Sequence, residues 1–320
     1  MLCIHIKNQD ACFCLAAEEY FLKYFEDDIF ILWQSSDTVV IGKHQNALAE
    51  VDYKFITTNN IALARRISGG GAVFHDPGNL NFTYIKTVPK NSEINFDMFT
   101  RVIIDSLSKL NLKITTSGFN NLLLKEKKIS GNAQHIYKNR VLHHGTLLFN
   151  SDIKNMGLAL RAHDKERYFG KAVRSIRSAV INISDHLNKN WTINEFIDFL
   201  IGERLKENNS DIYYLTSDDY RKVNSLADEK FRTWQWNFGY SPAYDFINNF
   251  SHDSLAIDIR LHVEKGLITN SEITGDFFSY NEFKILNKLL QGKRHYFDDI
   301  KLSLEIIKRE VADKLVFSFF

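Results

Sequence analysis

The sequence predicts a mixed α/β main domain followed by a small α+β unit. Helix-period and strand-period stretches alternate from Cys12 to Leu110, and a run of strand-like stretches then fills Leu112–Phe149. The aromatic segment FRTWQWNFGYSPAYDF, with Gly239 and Pro242, precedes a short tail of strands and helices. These features place the main domain over residues 1–243 and the small unit over 244–320.

Each element has its own signal. Cys12–Phe25 (CFCLAAEEYFLKYF) has helical spacing, with Leu15, Ala16, Tyr20 and Phe25 on the expected buried side. IFILWQ and TVVIGKHQ read as strands joined through Ser-Ser-Asp, and EVDYKFITTNN as a short helix. IALARRI and AVFHD are strand-like on either side of a triple glycine, and NLNFTYIKT is a further strand. In Phe96–Leu110, Phe99, Val102, Ile103 and Leu107 recur at helical spacing. LKITTS, NLLL, KISGNAQHI and RVLHHGTLLF are strands, and helices return near Asp152–Ala162, Ile193–Lys206 and Ser217–Lys230. The tail reads strand (LAIDIRLHV), turn (Glu264–Gly266), strand (LITNSEI) and two helices.

The composition is that of a globular chain, 44% hydrophobic and 25% charged, and its net charge of +1 gives nucleic-acid binding no support. The three cysteines, Cys3, Cys12 and Cys14, cluster at the N-terminal end, a poor disulfide framework and an incomplete zinc spacing. No stretch reaches the roughly 18 apolar residues that span a bilayer, and the N-terminus lacks a signal-peptide pattern. A cytoplasmic protein without a membrane partner is expected. No oligomerisation signal stands out, so the expected state is a monomer.

The segment ARRISGGGAVFHDPGNLNF carries the first functional signal. Ala72-Val73-Phe74 favour a strand after Gly71, so the loop opens no helix and matches neither the Rossmann nor the P-loop pattern. Three residues without Cβ let backbone approach a ligand, and successive N–H groups there can bind an anion. Alternation along the strand leaves only one of Arg65 and Arg66 to serve the loop. A Gly-rich turn with an exposed arginine is the plain alternative. In KKISGNAQ, Lys125 and Lys127 fit a solvated hairpin tip, whereas Lys128 opens an apolar strand and can point inward. In HHGTLLF, His143 and His144 read as one core and one exposed histidine unless a site claims them.

Together RRISGGGAVFHDPGN, KISGNAQ, HHGTLLFN, SIRS and FRTWQWNFGYSP resemble the lipoate–protein ligase family, in the family's order and over nearly the whole chain. The resemblance implies a mixed-sheet lipoate/biotin ligase-like catalytic domain with a small accessory domain. It implies that ATP activates lipoate to lipoyl-AMP. The lipoyl group would then pass to a lysine of a lipoyl domain of a 2-oxoacid dehydrogenase E2 subunit or of glycine-cleavage H protein. Arg66, Ser68 and Gly69 through Phe74 would meet the nucleotide and adenylate, with His75, Asn79, Asn120 and Asn132. Lys128 would be catalytic, stabilising charge at the junction of phosphate and lipoyl carbonyl. Gly71, Val73, His144, Gly145 and Thr146 would line the lipoyl site, and Trp33 and Leu15 are candidates for its apolar slot.

One departure stands out. Where the family commonly has Gly-Arg-Asn-Asp, this chain has Gly118-Phe119-Asn120-Asn121. An arginine and an acid that would help hold pyrophosphate and Mg²⁺ are missing, leaving Asn121 and Asp76 as the candidate metal ligands. A transferase that accepts preformed lipoyl-AMP and activates poorly is therefore the alternative. An amidotransferase working through a cysteine thioester fits less well, because every cysteine precedes the motifs. The triple glycine argues against a biotin ligase, and a non-enzymatic binding module has little use for Lys128 beside such a loop.

Overall fold

The computed structural model describes residues 1–89, 95–118, 120–160, 167–207 and 209–320. In chain order the elements begin β1 (Leu2–Ile6), α1 (Ala11–Tyr24), β2 (Ile29–Trp33), β3 (Thr38–Ile41), α2 (Tyr53–Thr58), β4 (Ala62–Arg65), β5 (Val73–His75) and β6 (Asn79–Thr87). They continue with α3 (Asp97–Ser108), β7 (Ile114–Ser117), β8 (Asn121–Leu124), β9 (Lys127–Tyr137), β10 (Arg140–Leu148), α4 (Ile153–Ala159), β11 (Tyr168–Gly170) and α5 (Ile193–Leu205). The last are β12 (Asp211–Ile212), α6 (Ser217–Leu226), β13 (Tyr244–His252), β14 (Leu255–Glu264), β15 (Leu267–Gly275), α7 (Tyr280–Leu290) and α8 (Phe297–Leu315). Among the described residues no helix is long and apolar enough to cross a membrane.

Two compact units emerge. The first holds Met1–Lys43, Ala62–Gly157 and Ser175–Arg232; the second holds His44–Ile61, Leu158–Arg174 and Thr233–Phe320. The second unit is thus assembled from three segments. β11 pairs with β13, and the ring of Tyr53 at the start of α2 lies 4.4 Å from that of Phe320, so early segments supply part of its packing.

In the first unit an eight-stranded mixed sheet runs β12-β1-β2-β6-β10-β9-β8-β7, and a small sheet runs β4-β3-β5. One face of the large sheet buries Phe30, Leu32, Phe82, Leu147 and Ile129 against Phe99, Ile103 and Leu107 of α3 and Phe196, Ile197 and Leu200 of α5. Each such side chain contributes roughly 1.5–3 kcal/mol when withdrawn from water. The opposite face is covered by α1, whose N-cap Asp10 accepts from the Cys12 N–H. α1 is buried on more than the expected stripe, from Phe13 through Leu22. The reason is α6, which packs on its outer side: Tyr20 donates to Asp219, and Phe13 stacks on Tyr220 at 5.4 Å.

In the second unit the sheet order is β11-β13-β14-β15. Ile257, Ile259, Leu261 and Val263 point inward from β14, alternating with more exposed residues. Strand β13 is absent from the sequence reading. Its inward residues Tyr244 and Phe246 are followed by a buried Asn248, which broke the apolar alternation and hid the strand. The helix expected near Asp152–Ala162 spans Ile153–Ala159, and positions 161 and 162 lie outside the described residues.

Candidate active site

The triple-glycine loop closes around one guanidinium. Arg66 donates from Nε to Ser68 Oγ at 3.0 Å, and its terminal nitrogens donate to the carbonyls of Val40, Gly69 and Gly71 at 3.1, 2.6 and 2.7 Å. Arg65 turns elsewhere, donating to the carbonyls of Gly42 and Lys43. Only one of the pair serves the loop, as strand alternation requires. Burial lowers the Arg66 pKa to about 10, which leaves it charged at neutral pH. Gly70 has φ +87°, a left-handed conformation that a side chain would strain. Two residues on, the N–H of Ala72 donates to Ser175 Oγ at 2.7 Å and so ties the SIRS segment to the loop. Val73 and Phe74 form β5 against β3, with Phe74 buried.

Adjacent positions on β10 face opposite sides of the sheet. His143 points to the α3 face, stacked on Phe99 at 5.0 Å, with Gln134 and Asn132 on its two ring nitrogens. His144 points to the α1 face. There its Nδ1 lies 2.9 Å from Glu18 Oε2 and its Nε2 lies 2.6 Å from Ser68 Oγ. Neither histidine is exposed, which corrects the reading of one core and one solvent histidine. Glu18 also accepts from Trp33 Nε1 at 3.3 Å and from the Thr83 hydroxyl at 2.5 Å. The His75 ring meets Trp33 edge-on at 5.3 Å, and Asn81 links His75 to Asn79.

Lys128 reaches this neighbourhood through a bulge. Leu122 opposes Ser130 but Leu123 opposes Lys128, so Ile129 is an extra residue in β9. Strict alternation would send Lys128 to the side of Ser130 and Asn132, the α3 side. Instead its Nζ ends where a Cβ on Gly131 would meet it at 2.9 Å, so the absence of that Cβ makes room for the amine. Thr146 accepts from the Gly131 N–H at 3.2 Å and holds the neighbouring strand there. Burial first and then Arg66 push the Lys128 amine below the ordinary lysine range. Lys125 and Lys127 are exposed at the hairpin tip, as expected.

The structure therefore gathers Trp33, Arg66, Ser68, the glycine loop, His75 and His144 on the α1 face. It does not gather every expected residue. The Asn132 side chain points to the α3 face and donates to the Asn120 carbonyl and Ser130 Oγ. A Cβ on Gly145 would point the same way, into Asn132 and Phe82. Leu15 is buried on α1 one turn before Glu18. Asp76 caps a turn, accepting from the N–H groups of Gly78 and Asp152. Asn121 lies on β8, three strands from β6, and its Oδ1 is buried without a partner. Gly118 has φ +60°, and Phe119 lies outside the described residues.

The lipoyl protein ligase A/B catalytic domain family matches residues 10–204, and the bacterial lipoate protein ligase C-terminus family matches residues 241–314. The chain belongs to the lipoate–protein ligase family. It is 37% identical to lipoate–protein ligase 1 of Staphylococcus aureus over 91% of this chain and 89% of that one. It is also 37% identical to a lipoate–protein ligase of Bacillus subtilis, over 88% and 86%. Among solved structures, a bipartite lipoate protein ligase of Thermoplasma acidophilum aligns with TM-score 0.65 at 26% identity, covering 75% of this chain and 96% of that one. A lipoate-bound Plasmodium falciparum protein shares the fold over 98% of both chains, at 23% identity and TM-score 0.64. The family is one of ATP-dependent ligases, and the chain is such an enzyme.

Sequence reasoning about this ligase missed Glu18. Its signal was present: an acid pair, Glu18-Glu19, interrupts an otherwise apolar helix, and a carboxylate on a buried face needs partners. The cysteines do not suit thioester chemistry. Burial raises the thiols of Cys3 to about 11 and Cys12 to about 12, and Cys14 rises too, which suppresses the reactive thiolate.

The buried histidines make the ligase acid-sensitive. His75 and His143 are both pushed down to about 3, by burial first, from an unfolded value near 6.5. The unfolded chain binds these protons first, so stability is complete above pH 6.5 and is lost as pH falls toward 3. Each residue contributes a slope of up to about 1.4 kcal/mol per pH unit. The urea midpoint is expected to drop clearly between pH 7 and pH 5. A midpoint that stays put would show that these rings accept protons inside the folded ligase.

Proposed function

We propose that the ligase activates lipoate with ATP and then transfers the lipoyl group to a lysine of an acceptor protein. A lipoate carboxylate oxygen attacks the α-phosphorus of ATP, and pyrophosphate leaves. The acceptor's deprotonated amine then attacks the carbonyl carbon of lipoyl-AMP, forming the amide and releasing AMP. The observation that carries this reading is the convergence of Lys128, beside Gly131, with Arg66 inside the glycine loop. Two cations and a set of oriented N–H groups suit a reaction that brings two anions together. His144, Thr146 and Trp33 would form the acyl wall. The relative with an E2 lipoyl domain in its title supports lipoyl domains as acceptors, and glycine-cleavage H protein is the other candidate. Residues 1–243 would carry the chemistry and 244–320 act as the accessory domain, in a cytoplasmic monomer.

The fit for Mg²⁺ is limited. Among the described residues no group of three or more His, Cys, Asp or Glu could hold a metal, and both Asp76 oxygens already accept N–H bonds. Of the two expected ligands only Asn121 keeps an unpartnered oxygen, its Oδ1, so the nucleotide's own phosphates would hold most of the ion, whose charge would offset theirs. Asparagine in place of an acid is also the observation that favours the second reading, a transferase supplied with preformed lipoyl-AMP.

One assay separates the two. Purified protein given lipoate and ATP is expected to release AMP and pyrophosphate in a lipoate-dependent manner and to modify an acceptor domain. Absence of pyrophosphate, with transfer intact from supplied lipoyl-AMP, would overturn the full-ligase reading in favour of the transferase.

A further inference from the structure

The hydrogen bonds running from α1 to the glycine loop fix every proton along their path. Glu18 is fully buried, and as a carboxylate it can only accept. His144 Nδ1, 2.9 Å from Glu18 Oε2, must therefore carry the ring's hydrogen. In the neutral ring Nε2 is then an acceptor, and the proton between it and Ser68, 2.6 Å away, belongs to the serine hydroxyl. With its own proton spent on His144, Ser68 Oγ is free to accept from Arg66 Nε at 3.0 Å. The other guanidinium nitrogens hold the Gly69 and Gly71 carbonyls. All donors point one way, from Arg66 through Ser68 and His144 to Glu18.

We propose that Glu18 is a positioning residue that couples the acyl wall to the nucleotide loop, by holding His144 in the Nδ1–H tautomer and thereby setting the orientation of Ser68 and Arg66. The proposal rests on the ligase reading above for what the two ends bind. Glu18 touches the acyl wall directly through Trp33 and His144, so a change there is passed along the chain to the loop backbone. The other titratable groups near this chain among the described residues are Lys128 beside Arg66, His75 on β5, His143 beside His144, His135 on β9 and Cys14 one turn earlier on α1.

Glu18→Gln tests the chain without changing its size. The glutamine oxygen takes the Trp33 and Thr83 donors, which turns its NH₂ toward His144 Nδ1. The ring must then carry its hydrogen on Nε2, and Ser68 receives two donors while its own hydroxyl loses its acceptor. Histidine ¹⁵N shifts of the ligand-free protein are expected to show the Nδ1–H form of His144 in the wild type and the Nε2–H form in Glu18→Gln. In the lipoate-dependent AMP assay, Glu18→Gln is expected to raise the ATP KM roughly tenfold. The lipoate KM should change much less, and Glu18→Asp should recover part of the loss. Ser68→Ala cuts the chain while leaving the Glu18–His144 bond in place, so it is expected to give the same split in KM and serves if Glu18→Gln does not fold. An Nε2–H His144 in the wild type would overturn the proposal. So would an ATP KM unchanged within twofold in a folded Glu18→Gln or Ser68→Ala variant. The tautomer is read without substrate, so an inactive wild type would count against the ligase reading and not against the chain.

Discussion

Replacing Lys128 by alanine is expected to abolish lipoate activation at any practical level, lowering its rate by roughly 10²–10³-fold or more, while the protein stays folded. The amine sits beside Gly131 and within electrostatic reach of Arg66, where its positive charge is already disfavoured by burial. That disfavoured charge is relieved when an anion arrives, and most when negative charge accumulates between the phosphate and the carbonyl. The interaction therefore strengthens toward the transition state, which is the condition for a rate effect instead of a binding effect alone. Transfer from supplied lipoyl-AMP should fail as well, because the same amine would polarise the carbonyl attacked in the second step. Arginine is not expected to rescue the activity: its planar, delocalised fork does not reproduce the compact point charge of the amine. Lipoate-dependent AMP release, transfer from lipoyl-AMP and far-UV circular dichroism together check this. Near-normal transfer by a folded Lys128→Ala protein would refute the assigned role.

Arg66→Met is expected to remove both activity and much of the local stability. The substitution keeps the side chain's bulk but withdraws the donors held by Val40, Ser68, Gly69 and Gly71. Buried acceptors left unpaired cost about 1–3 kcal/mol each, although a loop freed to reach water recovers part of that. A net loss of about 3 kcal/mol is expected, with ATP-dependent activity below detection. A melting curve and limited proteolysis mapped to residues 67–72 distinguish the two effects. If the loop remained protected and ATP bound normally, Arg66 would be neither the loop's frame nor part of the nucleotide site.

Much of the first unit could be read from local pattern. The periodicity of CFCLAAEEYFLKYF and the failure of the triple glycine to open a helix follow from short-range rules, and the structure bears them out, whereas the side that Lys128 reaches is set by the bulge against β8. What escaped was long-range. The breadth of burial on α1 depends on α6, some 200 positions away in sequence. The role of Glu18 depends on β2, β6 and β10 converging on it. Asn132 was grouped with the site by its place in a motif, but the pleat sends its side chain to the other face, a fact that needs the pairing with Gly145 and His143 to be known. The segments of the second unit that precede residue 233 carry no local mark of their destination, because ordinary helix and strand patterns do not name their partners.

The extra residue in β9 has a consequence for how this ligase can be altered. Between Ile129 and Gly131 the strand behaves as a gear with one added tooth: its count, more than its composition, decides which side of the sheet receives the amine. Exchanging Ile129 for valine or leucine should leave that count intact and change only local packing. Adding one residue to β8 opposite Ile129 would restore the regular pleat and carry Lys128 toward the phenylalanines of the α3 side, with every chemical group still present in the chain. Length variation in this hairpin is therefore far more hazardous than substitution, and loop grafting or library design should keep the pairing of Leu122 and Leu123 with Ser130 and Lys128 fixed.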